Sequence, residues 1–453
     1  MSSSQTHIVT EKSLFSISWP IFIDIFLHLV TLLINTWMIS HVSMQMVAAT
    51  AASNQFFETS VAILNFIGVG CSIVVAQYLG AGNREVTRKA IHLSITLNLL
   101  LGFITFLAIW FFGRPLLEVM NTPETILDMA YDYFHIIGIC LIFEAVAIIL
   151  ASCLRVYGYS QAPMYVSLIM NIVTVLGNVL VLHGLFGFPQ MGLHGVALST
   201  LLGRMVGVAL LFYLLFFGIK VKLEWRMFFQ FHKGILKQIL KIGLPSAGEN
   251  LSWTAQMLVM LAFVGKMGED ALAAHNIYLQ LSYMLMLFAL AIGIGNEILV
   301  GHLVGASRFN DAYKRTFKSL RTGMLVTFAV VVVFYFARHF IVGRFTDDPV
   351  IMNLLLPLFL LSILLEVGRT QNIVMVNALR ATGDAKFPFY AALVFMWGLA
   401  IPVGYFFGFV LEMGLIGIWI GFLCDEWVRG LVNAWRWKSR RWETKRLNIE
   451  QTV

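Results

Sequence analysis

Runs of twenty or more apolar residues recur from one end of this chain to the other, and that recurrence leaves few folds open. In hydrocarbon no water satisfies a backbone N–H or C=O, so a spanning segment is either a helix or a strand of a closed barrel. Runs of this length, without strict alternation of apolar and polar residues, read as helices. Composition agrees: 59% of residues are hydrophobic and 12% charged, against roughly 25% charged in a soluble domain. Turn signals between the runs place twelve spans, at 14–42, 47–79, 92–113, 126–152, 163–188, 193–219, 241–264, 271–303, 322–343, 350–378, 387–411 and 414–435. The expected fold is therefore all-α and integral to the membrane. The four cysteines (Cys71, Cys140, Cys153, Cys424) lie inside apolar runs and read as packing thiols, with no disulfide frame and no metal-binding pair.

A net charge of +7 would suit nucleic acid, but the basic residues are not spread as a binding patch. They gather in alternate loops, in the 220–241 connector and in the C-terminal WRWKSRRWETKR. Only Arg114, Lys266, Arg338 and Arg344 face the other way, while Arg204, Arg369 and Arg429 lie within spans. The excess of Lys and Arg on one side predicts both termini in the cytoplasm, with the C-terminal segment lying on the membrane surface. No nucleic-acid partner is expected; the expected partners are small molecules and the lipid bilayer, and the chain is expected to act as a monomer.

The two halves repeat each other. Pro20 matches Pro245, Asp24 matches Glu249, and Gln55 matches Gln280. AQYLGAGNR from Ala76 matches GHLVGASRF from Gly301, and LRVYGYSQAP around Arg155 matches LRATGDAKFP around Arg380. One offset, 225 residues, serves every pair, which indicates duplication. Six spans per half is an even number, so both halves enter the membrane from the same side. The prediction is two parallel-repeat six-helix bundles around a central cleft: a bundle over 1–219, a cytoplasmic connector over 220–240, a second bundle over 241–437 and a cytoplasmic tail over 438–453. The turns at Arg155 and Arg380, and the glycine turns at Gly80 and Gly305, read as hinges or clamps between spans.

These motifs resemble the multidrug and toxic compound extrusion (MATE) family. The early proline in spans one and seven, Q-x-x-G-A-G after span two, L-R-x-x-G-x-x-x-x-P after spans four and ten, and A-A-H at 273–275 carry the resemblance, which covers nearly the whole chain. It implies a V-shaped secondary exporter, driven by inward H⁺ or Na⁺ and acting on amphipathic, often cationic compounds. Two positions depart from the pattern. Many bacterial members carry Asp fifteen residues after the first proline, where this chain has Asn35. Many carry Glu eight residues after the second, where this chain has Trp253.

In place of those carboxylates stand Asp24 and Glu249, each four residues after its proline. Asp24 is ten residues into its span, about 15 Å at 1.5 Å per residue, near the middle of a hydrocarbon core of roughly 30 Å. A charge at that depth costs about 3 kcal/mol on the lenient insertion scale. Two repeat-related carboxylates there are candidates to couple transport to a proton or cation; the competing reading is that each merely accepts hydrogen bonds where the proline interrupts the helix. His28, one turn beyond Asp24, is a candidate to share its proton. The candidate substrate cavity comprises Asn35, Asn178, Trp253, Glu297, Gln55, Gln280 and Arg369, with aromatic packing the alternative role for Trp253. The repeat mates of Asn171 and Asn178 are Met396 and Val403, so the polar cluster of span five is confined to the first half. Glu366 and Arg369 are spaced to pair on one helix, and Glu144, the repeat mate of Arg369, is expected to join them across the cleft. Arg204 and Arg429 are repeat mates expected to form interhelical pairs with Asp425 and Glu426.

The function expected from all this is secondary multidrug efflux by alternating access in the cell inner (plasma) membrane, with no enzyme activity and no cofactor beyond the transported ion. Two other classes compete. A flippase for a lipid-linked sugar would need several inward-facing basic residues, of which Arg369 is the strong candidate. A membrane-embedded transferase would need an Asp-rich diphosphate motif, and the Asp347–Asp348 pair lacks a second acidic partner. No phosphate-binding loop is present, which removes ATP as the direct energy source.

Overall fold

The computed structural model describes residues 9–184, 187 and 189–447. Residues 185, 186 and 188 at the end of the fifth predicted span, and 448–453 of the predicted tail, lie outside that set. Twelve long helices follow one another: α1 (Leu14–Ser40), α2 (Met44–Gly80), α3 (Arg84–Val119), α4 (Glu124–Val156), α5 (Gln161–His183), α6 (Gly192–Tyr213), α7 (Lys233–Gly265), α8 (Glu269–Gly305), α9 (Phe309–Phe336), α10 (Pro349–Ala381), α11 (Lys386–Phe395, prolonged by further turns to Val410) and α12 (Leu415–Lys438). There are no strands among the described residues. The fold is all-α, as the apolar runs require.

The duplication is visible in the element boundaries. α2, α3, α4 and α5 start at residues 44, 84, 124 and 161, and their counterparts α8, α9, α10 and α11 start at 269, 309, 349 and 386, each 225 residues later. Most helices outrun their apolar runs, because polar turns at their ends stay helical. α7 begins at Lys233, inside the predicted connector, which shortens it to the stretch between a π turn at Leu214–Gly218 and Lys233, with a 3₁₀ turn at Trp225–Phe229 in it. Among the described residues, ten helical stretches are long and apolar enough to cross a membrane. α7 and α12 fall short for a chemical reason: α7 carries SAGENLSWTAQ after Pro245, and α12 carries Asp425, Glu426 and Arg429.

The chain divides into two compact units. Of the described residues, one comprises Trp19–Val75 and Asn83–Gly243; the other comprises 9–18, Ala76–Gly82 and 244–447. Within the first, small residues bring helices together. Gly195, Ser199, Gly203 and Gly207 form a stripe on α6 at four-residue spacing, and they meet Val181, Gly177, Thr174 and Met170 of α5 in turn. Such stripes are how membrane helices pack closely when lipid is as apolar as their own side chains. α11 is distorted by π turns at Met396–Ala400 and Phe406–Val410. Pro402 donates no backbone hydrogen bond and crowds the carbonyl four residues before it, and a π turn relieves both conflicts.

In the second unit, the C-terminal segment is docked on protein rather than spread on lipid as the sequence suggested. Trp437 and Trp442 are fully buried and stack at 4.2 Å with 7° between planes. Arg446 and Arg440 bond Ser307 and Asn310 at the α8–α9 turn, and Arg436 pairs with Asp384 at 2.8 Å. The backbone N–H of Leu447 donates to Gln77 Oε1 at 3.1 Å, while Gln77 Nε2 donates to the carbonyl of Ala381 at 2.6 Å. Beside this strap the ends of α2 and α8 cross with almost no side chain between them. A Cβ on Gly80 would lie 2.2 Å from the carbonyl oxygen of His302, and one on Gly305 would lie 2.0 Å from that of Gln77. His302 is the repeat mate of Gln77, so the crossing repeats one contact in two directions.

Candidate functional site

α1 projects Asp24, His28, Thr31 and Asn35 at intervals of four, three and four residues, which puts them on one helix face. That face borders two cavities of the first unit. The larger, about 260 Å³, is lined by Asp24, His28, Glu144, Arg155, Asn171 and Arg204 among others. The smaller, about 80 Å³, is lined by His28, Asn35, Asn54, Glu58, Tyr133 and Arg204. The second unit has its own cavity of about 210 Å³, with Glu249, Trp253, Tyr283, Arg369, Arg380 and Arg429 in its wall. Thirteen of the fifteen positions lining this cavity are repeat mates of positions lining the larger cavity of the first unit. Duplication has preserved the site along with the helices.

Each repeat-related carboxylate is closed by an arginine. Arg155 Nη2 donates to Asp24 Oδ2, and Ser167 Oγ donates to Asp24 Oδ1. Arg380 Nη2 donates to Glu249 Oε2 at 2.7 Å. Both pairs span 131 residues of chain. Arg155 and Arg380, expected as hinges or clamps at turns between spans, turn their side chains back along the helix and hold the membrane carboxylates. The mate of Ser167 is Ala392, so Glu249 has no matching hydroxyl.

Charges elsewhere in the site differ between repeats. In the first unit Arg204 donates to Glu144. Glu144 therefore pairs with α6 of its own unit, which corrects the expectation that it would join Glu366 and Arg369: within one unit a neighbouring helix offers the opposite charge at hydrogen-bond range. The repeat mates of Glu144 and Arg204 are both arginines, Arg369 and Arg429, and the second unit adds carboxylates to balance them. Arg369 Nη1 donates to Glu366 Oε1 at 2.9 Å and its Nε to Glu426 Oε1 at 3.3 Å. Arg429 pairs with Asp425 at 2.7 Å and lies 3.4 Å from Glu426. Asp425 and Arg429 thus pair along α12 itself, one helical turn apart, instead of between helices.

His28 faces Glu58 rather than Asp24. Its Nε2 lies 3.4 Å from Glu58 Oε1, on α2. The repeat mate of Glu58 is Tyr283, so the match between halves does not mark it; its signal in the sequence is a lone carboxylate in the apolar run of span two. His28 and Glu58 leave 51% and 46% of their side chains open, whereas Asp24 and Glu249 leave 11% and 10%. Among the described residues, Glu58 is the cavity-lining carboxylate that bonds no arginine. Beside it, Asn178 Nδ2 donates to Asn35 Oδ1 at 2.9 Å and Tyr133 Oη donates to Asn54 Oδ1 at 3.2 Å.

The remaining candidates scatter. Trp253 borders the cavity of the second unit and meets Tyr283 edge-on, with ring centroids 6.1 Å apart. Gln55 and Gln280 are exposed and line none of the three cavities. Glu297 is buried in α8 and also lines none of them. No group of three or more His, Cys, Asp or Glu side chains placed to hold a metal occurs among the described residues.

Comparison with known proteins places this geometry in a family. The chain matches the MatE family profile over residues 20–180 and again over 245–406, two segments that begin 225 residues apart. It is 36% identical over 433 residues to the uncharacterized transporter YisQ of Bacillus subtilis, covering 96% of this chain and 95% of that protein. It is 25% identical over 459 residues to the probable multidrug resistance protein NorM of Thermotoga maritima, covering 98% and 95%. Among solved structures, one described as MATE in the bent conformation superposes with a TM-score of 0.89 at 19% identity, over 96% of this chain and 97% of that one. Two copies of the family profile in one all-helical chain, set at the spacing of its internal repeat, make this protein a member of the MatE family of membrane transporters.

Proposed function

We propose that the protein exports amphipathic organic molecules, cations prominent among them, by secondary antiport with H⁺ or Na⁺ across the inner (plasma) membrane, with both termini cytoplasmic. Family membership supports transport; relatives named as probable multidrug resistance proteins support the substrate class. The pairing of His28 with Glu58 favours H⁺ as the driving ion. The two groups face each other at 3.4 Å across a polar cavity, and every other carboxylate lining the three cavities is bonded to an arginine. An arginine stays protonated at any working pH and favours the charged form of a carboxylate bonded to it. No arginine bonds Glu58, although Arg204 lines the same cavity, and a histidine is the side chain suited to changing charge between pH 5 and 8.

In this reading the cavity of the first unit binds a proton when open to the more acidic side and releases it when open to the cytoplasm. Asn35 and Asn178 fix the neighbouring helices without titrating. One charge crossing 100 mV supplies about 2.3 kcal/mol, and a pH difference of one unit supplies about 1.4 kcal/mol. Either is enough to hold roughly a ten-fold gradient of a neutral substrate. The test is efflux of an organic cation from liposomes holding the purified protein, under an imposed pH gradient or an imposed Na⁺ gradient. The pH gradient should drive efflux and Glu58→Gln should abolish it. Efflux driven by Na⁺ alone, unchanged by Glu58→Gln, contradicts the proton assignment.

A further inference from the structure

The bond between Arg380 and Glu249 has a shape that matters for what enters the cavity of the second unit. It is made through a single Nη2–H at 2.7 Å, not through the two parallel bonds that a guanidinium fork can give a carboxylate. The Nε–H of Arg380 is buried without a hydrogen-bond partner, and so is that of Arg155 in the repeat-related pair. A one-point contact with a donor left idle is a weak form of this ion pair, yet it still neutralises Glu249 where an unpaired charge would be costly. Both partners line the 210 Å³ cavity. One turn along α7 from Glu249, Trp253 lines the same cavity with Tyr283. The repeat counterpart of that aromatic pair is His28 and Glu58. The second unit therefore combines a carboxylate, a removable cation and two aromatic rings; the first does not.

We infer that Arg380 is a tethered counter-cation, which occupies Glu249 in the empty protein and is displaced when a flat aromatic cation enters beside Trp253. Glu249 exchanges its own arginine for the ammonium or amidinium end of the ligand, and the ring system stacks on indole. The cavity thereby needs no ion from solution to stay neutral between transport cycles. This deepens the proposed export of organic cations and rests on it for the ligand class. Arg380 is a specificity-determining residue in this account: it sets the threshold that an entering cation has to beat.

The test uses the purified full-length protein and ethidium as the probe, read by fluorescence polarisation, with thermal unfolding as the check on folding. Arg380→Gln removes the competitor and should tighten ethidium binding about ten-fold, whereas Arg380→Lys keeps a cation and should stay near wild type. Free guanidinium ion should compete with ethidium in Arg380→Gln far more strongly than in the wild type. A folded Arg380→Gln protein that binds ethidium equally or more weakly overturns the inference. Two ligand-independent readouts cover the remaining outcomes. Labelling of Glu249 by a hydrophobic carbodiimide, mapped by mass spectrometry, should rise in Arg380→Gln and fall again with guanidinium; an unchanged rate overturns the inference even if no ethidium binds. If Arg380→Gln does not fold, phenylglyoxal labelling of Arg380 in the wild type should increase when ethidium is added, and no increase overturns it. Failure of pH-driven efflux with these labelling results intact would count against the transport reading alone.

Discussion

Replacing Gly305 by alanine is the sharpest structural test available, because the new methyl group has nowhere to go. Its Cβ would sit 2.0 Å from the carbonyl oxygen of Gln77, and ordinary contact begins near 3.4 Å, so the α2 backbone would have to retreat by more than 1 Å. The obstacle is main chain, which no rotamer change can move aside. Overpacking of this kind costs about 1–3 kcal/mol. Displacing α2 also strains the two hydrogen bonds of the buried Gln77 side chain, to Ala381 and from Leu447, each worth about 1 kcal/mol net. The expected loss is therefore about 2–5 kcal/mol, read as a lower thermal-unfolding midpoint in detergent and faster proteolysis of the C-terminal strap. Gly398→Ala is the control, since a Cβ there meets nothing within 4 Å. Gly80→Ala should act like Gly305→Ala, and the double variant should cost less than the sum, because both substitutions force open the same crossing. Equal midpoints for Gly305→Ala and Gly398→Ala would refute the crossing.

Three further outcomes follow from the charges and the strap. Glu144→Gln should destabilise the first unit by about 3–5 kcal/mol by stranding Arg204, while the double variant Glu144→Gln/Arg204→Met should recover much of that loss; thermal unfolding decides it. Trp442→Ala removes a fully buried ring stacked on Trp437 and should cost about 3–5 kcal/mol, seen as selective proteolysis near the C-terminus. In the connector, the Lys222 ammonium, with help from Arg88 and His92, holds the Glu224 carboxyl below its usual 4.5. A depressed carboxylate stabilises the fold above its unfolded pKa and loses that contribution as pH falls through the folded value. The protection of residues 220–232 from hydrogen exchange, corrected for the intrinsic pH dependence of exchange, should therefore hold at neutral pH and fall only once the pH drops below the usual carboxylate range.

How much of this was legible in the sequence depended on whether a feature repeated. The helices announce themselves as apolar runs, and the 225-residue offset places their starts in both halves. Asp24 and Glu249 were visible for the same reason. Their arginine partners stand out as motif residues at turns, but nothing in the sequence ties a residue at a turn to a carboxylate 131 positions away; a long guanidinium at a helix end can reach back along it. Glu58 and the Glu144–Arg204 pair were missed or mispaired where the repeats diverge, since Tyr283, Arg369 and Arg429 stand at their mates. Pairwise symmetry finds shared scaffolding well and finds specialised chemistry poorly. The C-terminal strap shows the same limit in another form: WRWKSRRW has the composition of an interfacial anchor, and only the docking of Trp437 and Trp442 into one core says otherwise.

The central claim is that a proton on Glu58 and His28 is exchanged for substrate, and its most direct measurement is proton release on binding. Purified protein in weakly buffered detergent solution near pH 6.5 is mixed with a saturating organic cation while a pH indicator is followed. About one proton per protein should be released, since the proton held between His28 and Glu58 leaves as the cation binds. No release is expected from Glu58→Gln or His28→Asn, though both should still bind the cation through the second unit. Wild-type binding without proton release, or equal release from both variants, would contradict the claim.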